Sequence, residues 1–375
     1  MRRAFAQACA ILGEETMKTT FGLYGGGWRS EFFLRVARAL PDRFEVSGVI
    51  TRDHEKAARF GRDFGVTRYG TAAELLSATK PLFMVVCVNG NVSADVALDL
   101  LRRRVPVLME TPPAPNLETL LRFHESLPKD ARIQIAEQYP FQPMHMARAA
   151  LLATGKIGAV QHAHVSCAQG YHAMALMRRY LGVGFESAEI TAKTFPVSVV
   201  GGFTRQGEPT EERVIEHPQT VAALDFGGKT GLFNFEANQH RSWARSQIVQ
   251  IKGERGEIFN DRLKYLLDFK TPMESEIARK DLGRSENLEG ADLKGVFADG
   301  QWLYRNPYQG SRLADDEIAV AACLDRMAEH ALGGPPFYGF AEAAQDAYLA
   351  LMIDKAAKNG IALRAESQPW APSPP

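Results

Sequence analysis

Hydrophobic positions change period repeatedly over the first 140 residues. Residues 19–25 (TTFGLYG) read as a short apolar strand. SEFFLRVARAL follows, with Phe33, Val36, Ala37 and Leu40 at the i, i+3, i+4, i+7 spacing of one helical face. FEVSGVIT (44–51) predicts a second strand, and HEKAARFGRDFG a helix stopped by glycine. PLFMVVCV (81–88) is apolar throughout, as expected of a strand covered by helices on both faces. VSADVALDLLRRR, VPVLME, NLETLLRFHESL and RIQIAEQY continue as helix, strand, helix and strand. This alternation predicts a doubly wound parallel sheet of the Rossmann type.

After about residue 140 the period changes. MHMARAALLATGKIG predicts one helix with a glycine stop. AVQHAHVSCA, ERVIEHPQTVAALDF, TGLFNFEA and SQIVQIKGERGEIFND then read as strands separated by hairpin-like glycines. Few helices intervene, which predicts an α+β domain with a large, mostly antiparallel open sheet. DDEIAVAACLDRMAEHAL and FAEAAQDAYLALMIDKAAKNG close the chain as helices, and SQPWAPSPP reads as a loose proline-rich tail. The expected division is a loose extension at 1–16, a dinucleotide-binding domain at 17–140, an α+β substrate and oligomerisation domain at 141–366 and a loose tail at 367–375.

Composition narrows the function classes. The 375 residues are too many for one typical core and suit two domains. Lys plus Arg and Asp plus Glu both number 44, so the formal net charge is zero and nothing points to a nucleic-acid or anionic-membrane partner. No run of about 18 apolar residues is present, so no membrane span is expected. The start, MRRAFAQACAILGEET, carries two arginines and a short apolar run interrupted by Gln7. It reads as an extension before Met17 rather than an export signal. Cys9, Cys87, Cys167 and Cys323 show no C-x-x-C spacing, so no metal site is expected, and buried thiols in the reducing cytoplasm account for them.

Candidate chemistry begins at Gly25-Gly26-Gly27-Trp28-Arg29-Ser30, a G-x-G-x-x-small loop between a strand and a helix. Gly25 permits the tight turn and Gly27 lets the backbone approach a pyrophosphate. The helix N-terminus, with Trp28 and Arg29 in its first turn, then faces the anion. The second strand ends in Thr51-Arg52-Asp53. Thr51 stands where an NAD-binding acid is expected, and Arg52 suits a 2′-phosphate, which favours NADP(H) while NAD(H) remains open. Asp53 comes slightly late for that role.

With GLYGGGWRS, VVCVNGNVSADVA, VLMETPP, TGKIGAVQ, GYHAMALMRRYLG and IKGERGEI in place, the chain from Met17 onward resembles the Gfo/Idh/MocA family. That resemblance implies a Rossmann domain followed by a large open sheet, homodimers or homotetramers built on that sheet, and hydride transfer at carbon–oxygen centres of sugars or cyclitols. It places Val88 and Asn89, together with Glu110 and Thr111, in the cofactor site. It also exposes departures. Thr111 replaces the lysine of a Glu-Lys-Pro triplet, and Ala168 replaces an aspartate four residues before a histidine, while that histidine, His172, is kept.

Histidine suits proton transfer to or from a reacting oxygen because it titrates near neutrality. His172, beside Tyr171 and followed by Arg178 and Arg179, is the candidate acid/base. Glu137 and Tyr139, at the end of the last strand of the first domain, are candidates to supply a carboxylate and a phenol. His240, Trp243 and Arg245 are candidates to line a polar pocket. Asp315-Asp316-Glu317 reads as a helix-capping acidic run. Three functions stay open: an NADP(H)-dependent oxidoreductase of a small sugar-like alcohol or carbonyl, a lyase, epimerase or hydrolase working through transient oxidation, and a non-catalytic nicotinamide-binding protein.

Overall fold

In the computed structural model, residues 18–205, 207–283 and 292–372 are described. The extension at 1–16, Cys9 included, lies outside them. The first domain runs β1 (Thr19–Tyr24), α1 (Trp28–Ala39), β2 (Phe44–Ile50), α2 (His54–Phe64), β3 (Arg68–Tyr69), α3 (Ala72–Thr79), β4 (Phe83–Val86), α4 (Gly90–Arg102), β5 (Val107–Met109), α5 (Leu117–Ser126) and β6 (Ile133–Ile135). Its six strands lie in the order β3-β2-β1-β4-β5-β6, and every pairing is parallel. This is the doubly wound order, with the switch point between β1 and β4, so the crevice opens beyond the C-terminal ends of those strands. β4 is buried at every position, as its unbroken apolar run requires. Asp53, Thr71 and Asn116 cap α2, α3 and α5 through their side chains, each contributing about 1 kcal/mol.

The second part runs α6 (Pro143–Ala153), β7 (Val160–Ser166), α7 (Gly170–Leu181), β8 (Ala188–Val200), β9 (Val214–Asp225), β10 (Thr230–Glu236), β11 (Ile248–Gly253), β12 (Gly256–Phe259), β13 (Arg262–Leu266), β14 (Pro272–Glu276), β15 (Ala278–Leu282), β16 (Asp292–Ala298), β17 (Gln301–Arg305), α8 (Asp315–Ala331), α9 (Phe340–Asn359) and β18 (Leu363–Ala365). Nine strands form one sheet, β14-β13-β12-β11-β7-β10-β9-β8-β18, in which only the β7–β10 pair is parallel. β15, β16 and β17 make a small separate sheet. β8 and β9 leave Phe195, Val200, Val214 and Ile215 exposed. No helix among the described residues is long and apolar enough to cross a membrane.

Two placements differ from the sequence expectation. α8 belongs by packing to the first domain: Ile318, Leu324 and Met327 share a buried cluster with Phe33, Val36 and Phe60. Its register of apolar residues fits the α1 face, whatever its position in the chain. The tail is not loose at Trp370, which is 4% exposed and donates its indole N–H to Gln345 Oε1 at 3.0 Å. A large amphipathic ring finds a dry site even among prolines, because its burial outweighs the cost of fixing a few residues. Cys87, Cys167 and Cys323 are free and buried.

Candidate active site

The glycine loop is shaped by two demands of the protein itself and one opening. Gly25 has φ +142°, and a Cβ there would stand 2.2 Å from the Cys87 carbonyl oxygen. A Cβ on Gly26 would meet Thr51 Oγ1 at 2.5 Å. Gly27, the residue that precedes α1, is different: a Cβ there would meet nothing within 4 Å. Space is therefore open beside Gly27, and Gly27 offers the first-turn N–H groups of α1 no side-chain acceptor. A cradle of this kind fits the pyrophosphate of a dinucleotide.

At the neighbouring strand ends, Arg52 is exposed after β2. The Asp53 carboxylate is committed to α2, accepting the Lys56 N–H at 3.0 Å. Thr51 Oγ1 accepts the Asp53 N–H at 3.2 Å. Val88 and Asn89 follow β4, where Asn89 Oδ1 accepts the Asn91 N–H at 3.0 Å at the start of α4. Glu110 and Thr111 follow β5, and the Thr111–Pro112 bond is cis.

Thr111 carries no charge, yet a cation stands beside Glu110. Arg29 Nε donates to Glu110 Oε1 at 3.0 Å, and its guanidinium lies 4.6 Å from the centre of the Phe32 ring. Burial disfavours this cation, but Glu110 outweighs burial and raises Arg29 above its ordinary value.

Across the crevice, His172 sits in the first turn of α7. Its Nδ1 lies 2.6 Å from Glu137 Oε2, with the histidine side chain 19% exposed and the glutamate fully buried. Glu137 stands two residues past β6 and is held from its other oxygen by the Tyr139 N–H at 3.1 Å. The Tyr139 ring lies 4.6 Å from the His172 ring, and burial, followed by Asp316, raises the Tyr139 phenol well above its usual range. With Nδ1–H donated to a carboxylate, the imidazole keeps an Nε2 lone pair for other work.

A cleft of about 530 Å³ joins these parts: Trp28, Arg29, Glu110 and Thr111 from the first domain meet His172 and Ala168 from the second. Tyr139 also lines it. Tyr171 does not. It lines an adjoining cavity of about 450 Å³ that shares Thr111, Gln169, His172 and Phe235 with the cleft. Burial holds the Tyr171 phenol well above its usual value, so it stays neutral.

The arginines after His172 turn away from the cleft. Arg178 is buried against Asp346 at 2.8 Å and Glu342 at 2.8 Å, and packs α7 onto α9. Asp346 is pushed up to about 6 by burial, against the opposing pull of Arg178. His240 does line the cleft, stacked 6.1 Å from Phe235. Trp243 is 82% exposed, and Arg245 reaches the Ser198 carbonyl at 3.3 Å, so neither reaches the cleft.

Several cleft residues escape a reading of the sequence. Asp316 looks like a capping acid but faces the cleft, accepting from Gln142 Nε2 at 2.6 Å, while Glu317 Oε2 accepts the Ala314 N–H at 3.0 Å at the start of α8. Phe203 and Arg205, on the connection between β8 and β9, also line the cleft, and Arg205 reaches the Trp28 ring. The glycine pair Gly201-Gly202 signals a turn, but not where that turn lands.

Comparison with known proteins bears on the same parts. No curated protein matches the chain. Solved structures match over nearly the whole fold. An oxidoreductase from Agrobacterium radiobacter, solved with NAD+, L-tartaric acid and magnesium, is 17% identical, with 92% of this chain and 98% of that chain covered and a TM-score of 0.64. A levoglucosan dehydrogenase solved with NADH and levoglucosan is 16% identical, with 93% and 99% covered and a TM-score of 0.66. A myo-inositol dehydrogenase from Corynebacterium glutamicum is 17% identical, with 94% and 100% covered and a TM-score of 0.65. At such identities the likeness is one of fold. Residues 19–137 match the Gfo/Idh/MocA model, described as an oxidoreductase family with an NAD-binding Rossmann fold. The matched residues span all six strands of the first sheet, from β1 to just past β6.

Proposed function

We propose that the protein is an NADP(H)-preferring oxidoreductase acting on a sugar-like or other small alcohol or carbonyl, with His172 as acid/base. The observation that carries this reading is the His172–Glu137 pair, 2.6 Å apart at the wall of the cleft that also holds Glu110 and the first turn of α1. A bound nicotinamide supplies the hydride acceptor or donor. In the oxidative direction His172 Nε2 takes the hydroxyl proton of the substrate, and Glu137 stabilises the imidazolium through Nδ1–H. In the reductive direction the same nitrogen returns the proton to the carbonyl oxygen. Arg29, fixed by Glu110, contributes the positive charge that position 111 lacks. Neighbours solved with NAD+ or NADH, one of them with levoglucosan, support a nicotinamide cofactor and a polyol-like substrate.

Arg52 and the commitment of Asp53 to α2 support the NADP(H) preference. Titration of the purified protein with NADPH and NADH, read by nicotinamide fluorescence, tests it. NADPH is expected to bind at least about tenfold tighter, and Arg52→Ala to erase most of that margin. Equal affinities, or tighter NADH, would remove the preference. Thr111 and Ala168 favour a second reading, a nicotinamide-binding protein without turnover. Tight cofactor binding with no reaction across a panel of polyols, sugars and ketones would select it.

A further inference from the structure

The cleft carries a cation that the family-like part of the site does not explain. Arg205 belongs to the second domain, yet its guanidinium carbon stands 4.0 Å from the centre of the Trp28 ring. Trp28 is the first residue of α1, and its own ring meets Phe32 edge-on at 4.8 Å. The indole is thus fixed from below and offers its upper face to Arg205. Among the described residues no carboxylate pairs with Arg205. The two acids lining the cleft are engaged elsewhere, Glu110 by Arg29 and Asp316 by Gln142.

An exposed arginine stacked on an aromatic face keeps its donors in plane and pointing outward, ready for an anion. The ring Arg205 stacks on belongs to the first residue of α1, next to Gly27, which leaves open space and provides no side-chain cap for the first-turn N–H groups. Backbone donors from one domain and a guanidinium from the other therefore meet at Trp28. Resting on the nicotinamide reading above, we propose that Arg205 is a cofactor-binding residue contributed by the second domain, and that it engages the diphosphate of the dinucleotide with Trp28 as its platform. The diphosphate is common to NADH and NADPH, so Arg205 adds affinity without choosing between them, whereas Arg52 chooses. It also couples cofactor binding to the contact between the β8–β9 connection and the glycine loop.

The test is calorimetric titration of the wild-type protein, Arg205→Ala and Arg205→Lys with NADH, NADPH and ADP-ribose. ADP-ribose carries the diphosphate but no nicotinamide. Arg205→Ala is expected to weaken all three by about tenfold, Arg205→Lys by less, and the loss is expected to shrink in high salt. Binding of all three by Arg205→Ala within twofold of wild type would overturn the assignment while leaving the oxidoreductase reading intact. A loss confined to NADPH would also overturn it, by placing Arg205 on the 2′-phosphate. A wild-type protein that binds none of the three would remove both readings together.

Discussion

Two histidines on adjacent helices make similar-looking contacts and are prepared for opposite behaviour. His172 on α7 sets Nδ1 2.6 Å from the Glu137 carboxylate, and its ring lines the cleft. His145 on α6 sets Nδ1 2.5 Å from the Tyr180 hydroxyl and 3.1 Å from Arg148 Nη1, and it is buried. An arginine can only donate, so His145 Nδ1 is an acceptor and carries no proton. Protonating that ring would break the hydrogen bond from Arg148 and place a second charge beside it. Burial first, and Arg148 next, accordingly hold His145 well below the usual histidine range. His172 has the reverse arrangement, because its partner is a carboxylate, which only accepts, so Nδ1 is the donor. The partner and the exposure, not the residue type, distinguish the two rings.

The largest effect that tests this contrast is at His172. His172→Ala is expected to lower kcat about 10³-fold on a substrate identified by screening, with the Kd for NADPH nearly unchanged. Unimpaired turnover would place the acid/base elsewhere. Glu137→Gln keeps the shape but removes the charge that favours the imidazolium. A loss of about 10- to 100-fold in kcat is expected, and kcat equal to wild type would reduce Glu137 to a packing role. The smallest effect is at His145. Its depressed folded value means that the unfolded chain binds the extra proton first, near pH 6.5. The stability it confers is fully present above that pH and falls as pH drops below it, by up to about 1.4 kcal/mol per pH unit. His145→Gln should therefore flatten the denaturation midpoint between pH 6.5 and 5, as followed by circular dichroism, with turnover at pH 8 little changed. An unchanged pH slope would show that another group dominates acid sensitivity.

The strand–helix alternation of the first domain is legible because each element there obeys a local period. The apolar face of α1, the glycine stop of α2 and the continuous apolar run of β4 all fall where the pattern places them. The glycine loop is legible for the same reason, since steric demands at Gly25 and Gly26 act between residues whose strands must be neighbours in the doubly wound order. His172 and Glu137 could each be singled out, but their union could not. They lie 35 residues apart on a helix and a strand end, and only the docking of α7 against the first domain sets the 2.6 Å contact. Arg178 shows the converse. Its neighbourhood in sequence suggests the site, yet its position on α7 turns it toward Asp346 on α9.

The sequence by itself determined the two kinds of sheet, the glycine-rich loop between a strand and a helix, and the uncharged residues at Thr111 and Ala168, because these depend on residue type and short-range spacing. Only the tertiary structure decided what stands around them. Arg29 turns out to be the cation beside Glu110, Glu137 the carboxylate behind His172, Asp316 a cleft residue, and Arg205 a visitor from the second domain. The physical reason is that hydrogen bonds and ion pairs act over about 3 Å. No local pattern records which distant segments packing will bring within that range.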